Sequence, residues 1–139
     1  MPIKASILVF IGDPVDYTKY RHAALFFEFP NGSTCVMHVE GSPGEFVFRA
    51  YDNYNPERSR KLARKIPVAE LQDSISEVSI RGVISRTLVK NARDDADWNC
   101  QNWVGDALVR MVTNGHLNAS QRDSAIGAMT DVLLDAKDE

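Results

Sequence analysis

The chain has 139 residues, a net charge of −3 and a pI near 5.6. A length of this order suits one domain, 1–139, that buries enough surface to form a core without staples. The acidic balance gives no electrostatic footprint for phosphates, so nucleic acid is excluded as an expected partner. No stretch approaches the ~20 apolar residues that span a bilayer. The opening segment lacks the basic start and small-residue cleavage site of a secretory signal. Two cysteines, Cys35 and Cys100, are too few for a disulfide framework, and they point to a reducing, cytoplasmic setting.

In chain order, residues 3–11 form a β-branched apolar run that predicts a first strand. Asp13 to Asp16 is a turn. The aromatic-rich segment His22–Phe29 predicts a second strand, and Pro30-Asn31-Gly32-Ser33 carries the Asn-Gly signal of a tight hairpin. Residues 34–39 return as a third strand. Gly41-Ser42-Pro43-Gly44 turns again, and 45–50 reads as a fourth. Residues 53–64 are polar and basic, with Asn55-Pro56 as a breaker and Ser59 as a cap. Arg58, Arg60, Lys61, Arg64 and Lys65 read as a solvated face. The alternation in Glu77–Ile84 predicts a fifth strand, and Arg86–Ala92 a short helix.

The last third is helical. From Cys100, residues Val104, Ala107, Leu108, Met111 and Val112 share one helix face. Asn99 is placed to cap that helix and Asn114-Gly115 to stop it. A second helix is predicted from Ser120, with Asp123 completing a capping box and Ile126, Met129, Val132 and Leu133 as its apolar stripe. Sheet segments followed by helices make the fold α+β, an antiparallel sheet packed against C-terminal helices.

Chemistry converges on Cys100. A helix N-terminus and an imidazolium both stabilise a thiolate, which would lower its pKa below the free value. His22 opens the second strand and His38 closes the third, so they lie at one end of neighbouring strands. One could act as base for Cys100 while the other orients it. His116, in the loop after the Cys100 helix, reads as a surface residue, and Cys35, inside an apolar strand, as a buried structural thiol. The backbone N–H of Cys100 and, weakly, the Gln101 side chain are the candidates for holding an oxyanion. No paired-ligand spacing suggests a metal, and no cofactor is implied.

The run His22-Ala23-Ala24-Leu25-Phe26-Phe27, followed by Val36-Met37-His38-Val39, resembles the two histidine-bearing strands of the lecithin:retinol acyltransferase-like proteins. These include the H-Ras-like suppressor phospholipase/acyltransferases. Asn99-Cys100-Gln101-Asn102-Trp103-Val104 is similar to that family's Asn-Cys-Glu-His-Phe-Val block. The resemblance covers residues 20–40 and 97–115. It implies a circularly permuted NlpC/papain-like fold, with Cys100 as nucleophile, His22 as base and His38 orienting it. It also implies a hydrolase or acyltransferase acting through an acyl-enzyme on an amide, ester or thioester. The substrate would be a small-molecule, lipid or peptide acyl compound. Ala23 stands where that family carries Trp, and Gln101-Asn102 where it carries Glu-His, so its subfamily specificities do not transfer. The competing expectations are a catalytically inactive binding module on the same scaffold and a thiol enzyme of small-molecule metabolism.

Overall fold

In the computed structural model, which describes residues 2–12 and 16–136, five strands make one antiparallel sheet. They are β1 (Lys4–Phe10), β2 (His22–Glu28), β3 (Thr34–Glu40), β4 (Val47–Asp52) and β5 (Leu62–Glu70), in the order β4-β3-β2-β1-β5. Three helices follow: α1 (Glu77–Ser85), α2 (Cys100–Thr113) and α3 (Ala119–Leu134). The α+β class and the antiparallel sheet are therefore as the sequence implies. Part of the turn at 13–16 lies outside the described residues.

The strand period of two sorts the sheet into two faces. Ala5, Ile7 and Val9 of β1, Ala23, Leu25 and Phe27 of β2, and Cys35, Met37 and Val39 of β3 face the helices. They form the main core with Ile80, Ile84, Trp103, Val104, Leu108 and Met111. On the other face, Leu8, Ala24, Phe26 and Val36 make a smaller cluster, partly covered by Phe10, Tyr54 and Leu62. The segment between β4 and β5 packs on that second face through Tyr54, and its own Pro56 is buried.

The Asn-Gly signal acts through a three-residue hairpin loop. Phe29 N–H donates to the Ser33 carbonyl, Gly32 N–H donates to the Phe29 carbonyl, and Gly32 sits at φ 87°. That left-handed position suits a residue without a Cβ. At Gly41, φ is 119° and a Cβ would meet the Glu45 carbonyl oxygen at 2.8 Å, so only glycine fits.

Three sequence expectations are corrected. Glu77–Ser85 is helix, not a fifth strand: Ser76 caps it by accepting from Ser79 N–H, and Ile80, Val83 and Ile84 are buried at helical spacing. Its outward Val78 and Ser79 only imitate alternation. The fifth strand is Leu62–Glu70, whose Arg64, Lys65 and Pro67 broke the apolar pattern. It lies at a sheet edge, where a proline and charges are tolerated. Residues 86–92 contain no helix; there Asn91 spends both ends of its amide on the Phe46 backbone. The cap of α3 is Asn118 with Gln121 in the capping box, so the helix starts one residue before Ser120. The Asn99 cap of α2 is as expected, and Gly115 follows that helix at φ 77°.

Candidate functional site

The site is built where β2 and β3 part. Their pairing runs from Glu28–Thr34 to Leu25–Met37. Beyond it, His22 to Ala24 pair only with β1, and His38 to Glu40 only with β4. The backbone groups of β2 that would continue this ladder are thus left for other partners. Cys100, first residue of α2, supplies one. Its Sγ lies 4.0 Å from the Arg21 carbonyl oxygen and receives the Ala23 N–H.

The start of β2 is held firmly. Arg21 is buried, makes two 2.8 Å bonds to the Asp16 carboxylate and donates to the Val132 carbonyl at the end of α3. Gln101 ties α2 to the same point. Its amide Nε2 donates to the carbonyls of Thr18 and Arg21 at 2.8 and 2.9 Å. In this arrangement both N–H bonds of the amide, the weak oxyanion candidate, are directed to backbone carbonyls and tether α2 to the start of β2. At the N-terminus of α2 the Asn99 cap takes the N–H groups of Gln101, Asn102 and Trp103, which leaves the backbone N–H of Cys100 as the donor here.

His22 and His38 come together as the sequence implies. Nε2 of His22 and Nδ1 of His38 are 2.5 Å apart, with ring centroids at 4.7 Å. Both rings project from the sheet face away from the helices, sharing it with Phe10, Ala24 and Tyr51. The Cys100 sulfur approaches from the helix side. It makes no hydrogen bond to either imidazole, so the expected Cys100–His22 contact is not formed in this arrangement.

Burial sets the proton affinities. It pushes His22 down to about 4, helped by a charge on His38 and opposed by Glu40. His38 is also lowered, again mainly by burial. With both lowered, the pair is neutral near pH 7, one imidazole donating and the other accepting. Cys100, 9% exposed, is raised by burial. The N–H groups of Ala23, Gln101 and Cys100 itself oppose this without reversing it. The thiol is thus raised where the helix terminus led to the expectation of a lowered one, because desolvation outweighs the backbone N–H groups.

Beside the imidazoles, a cavity of about 360 Å³ opens on the far face. Ala24 and Val36 form its floor, Phe10, Tyr20, Tyr51 and Tyr54 its walls, and Ser59 and Lys61 its rim. At its edge Tyr51 donates to Glu40, which also lies 3.8 Å from Arg49. The wall from 54 to 61 belongs to the segment that looked like a solvated charge run. Nothing local in sequence marks it as site-lining, because only the fold brings it over the sheet.

The other candidates are placed elsewhere. Cys35 is fully buried in the paired part of β3, as expected. His116 is half-buried rather than superficial, with Nε2 3.1 Å from the Ser79 hydroxyl. Among the described residues, no group of three or more His, Cys, Asp or Glu could hold a metal ion. No helix among them is long and apolar enough to cross a membrane.

A family model described as "Family of unknown function (DUF6540)" matches residues 9–118. The chain belongs to that family. The matched span holds His22, His38 and Cys100, and it ends at the Asn118 cap of α3. Among curated proteins and among solved structures, no match to the chain is found.

Proposed function

We propose that the protein is a cysteine-dependent hydrolase or acyltransferase on a circularly permuted papain-like scaffold, working in a reducing, cytoplasmic setting. The observation that carries this reading is the parted end of β2 and β3, with Cys100 set into it from one side and the His22–His38 pair on the other. The chain order of the two histidine strands before the cysteine helix supports the permuted scaffold. In the reaction, the His22 ring turns from His38 into the gap between the parted strands and takes the Cys100 proton there. The thiolate attacks the carbonyl carbon of an ester, thioester or amide. The backbone N–H of Cys100 receives the oxyanion. Collapse expels the leaving group, which takes the proton from His22, and leaves a thioester on Cys100. Water or an acceptor then attacks the thioester, giving its proton to His22, and the released thiolate is reprotonated.

The test is intact-mass analysis after incubation with a nitrophenyl ester at about pH 8.5, the free-thiol range. The expected result is one acyl adduct, absent in Cys100→Ser and slowed in His22→Ala. Absence of the adduct, or its persistence in Cys100→Ser, overturns the reading. The raised thiol pKa favours a second reading, a binding module that keeps the cavity without the chemistry. Ligand binding with no acyl adduct would establish that one.

A further inference from the structure

The cavity beside the histidines belongs to neither the helix-side core nor the thiol contact, yet its chemistry is specific. Six of its lining side chains carry rings, which decides what shape of ligand it rewards. Three of the contacts already link Phe10 to His22, His22 to His38 and His38 to Tyr51. Their centroids are 5.9, 4.7 and 5.7 Å apart and all are tilted or edge-on. Tyr20 and Tyr54 face the same space. An aliphatic chain would gain area there, but only a ring continues this run of tilted contacts, each worth a further increment beyond burial. The volume, about 360 Å³, sits at the small end of ligand sites. It suits one ring and a short linker rather than a two-chain lipid.

We propose that this cavity takes a small aromatic acyl group, a phenyl ring on a short linker, and presents its carbonyl to the parted strand end. The inference rests on the acyl-transfer reading for the word acyl, and on the cavity alone for the word aromatic. The floor of Ala24 and Val36 receives the ring face, and Tyr51 and Tyr54 flank it. The neutral imidazole pair meets the polar end of the linker without a charge to compensate.

The test uses the full-length Cys100→Ser protein and two neutral amides of the same size, 3-phenylpropanamide and 3-cyclohexylpropanamide, titrated calorimetrically at pH 7. The aromatic amide is expected to bind about tenfold tighter, since two good ring pairs account for such a factor. The saturated ring, being the more hydrophobic, would win if burial alone decided. Tyr51→Ala, at an exposed wall position on the edge strand β4, should erase most of the preference without threatening the fold. Equal affinities, no binding, or a preference indifferent to Tyr51→Ala would overturn the proposal. Failure of the two readings is distinguishable. Adducts on Cys100 from aliphatic donors only would keep the chemistry and sink the aromatic cavity. Aromatic binding to Cys100→Ser with no adduct on the unmodified protein would do the reverse.

Discussion

At its turn end, the β2–β3 hairpin keeps Cys35 opposite Phe27 in an intact ladder, closed over by Arg81. At its other end the ladder stops, and Cys100 enters from α2 to meet the backbone at the start of β2. Both thiols are raised by burial, Cys35 to about 11. Their surroundings nevertheless differ in kind. The guanidinium of Arg81, 3.4 Å from the Cys35 sulfur, is committed to Asp52 and Glu77 at 2.8 and 2.9 Å, and stacks near Phe29. Around Cys100 the donors are backbone N–H groups with imidazoles across the gap. A cysteine becomes a candidate nucleophile here through the interruption of a ladder, and burial alone does not distinguish the two.

The comparison breaks most visibly in stability. Met37→Ala, in the closed part of the sheet, should cost about 2–5 kcal/mol in urea melts. Cys100→Ala removes one sulfur from a site with no ladder and should cost about 1 kcal/mol. Equal losses would mean that the parted end is packed as tightly as the closed one.

Acid offers the next largest effect. The folded-state pKa of His22 is lowered from 6.5 to about 4, so between those values the unfolded chain binds the extra proton. Stability contributed by the neutral ring is present above pH 6.5 and is lost as pH falls towards 4. The loss is on the order of 2–3 kcal/mol, at ~1.4 kcal/mol per unit and discounted for partial exposure. His22→Asn should flatten melts taken from pH 7 to 4.5 relative to the unmodified protein. Parallel curves would place the ring in solvent.

Alkylation sharpens the contrast between the thiols. Cys100 should react with iodoacetamide at a rate that climbs through pH 9 with no plateau near neutrality, and Cys35 only after denaturation. A neutral plateau for Cys100 would show an imidazole already holding its proton. The smallest effect lies far from the hairpin. Asn118→Ala should cost about 1 kcal/mol and Ser120→Ala within about 0.5 kcal/mol, because only Asn118 caps α3. Reversed costs would move the helix start.

Legibility in the sequence followed the range of the forces involved. The first four strands, the Asn-Gly turn and the α2 cap are local features, and residue patterns were enough for each. β5 was hidden because an edge strand pairs on one side only, so Arg64, Lys65 and Pro67 incur little cost there. α1 reads as a strand in sequence because Val78 and Ser79 on its outer side mimic a period of two. Within the site, the meeting of His22 with His38 could be foreseen from the hairpin. The face they occupy relative to Cys100 could not, since it depends on where the β2–β3 pairing stops. Gln101 looked free by position, and only the nearby Thr18 and Arg21 carbonyls show that it is committed.

The strand order carries a kinetic consequence. β1 forms hairpin-type neighbours with β2, but its other edge waits for β5, so Lys4 must find Glu70 after three strands have intervened. Closing so long a loop gives no contact energy until the register locks. Folding should therefore proceed through the β1–β4 meander, with the docking of β5 and of α3 against it as the late event. Stopped-flow measurements would find that a substitution such as Ile66→Val in β5 accelerates unfolding and leaves the folding rate nearly unchanged. A slowed folding limb would instead put β5 in the nucleus.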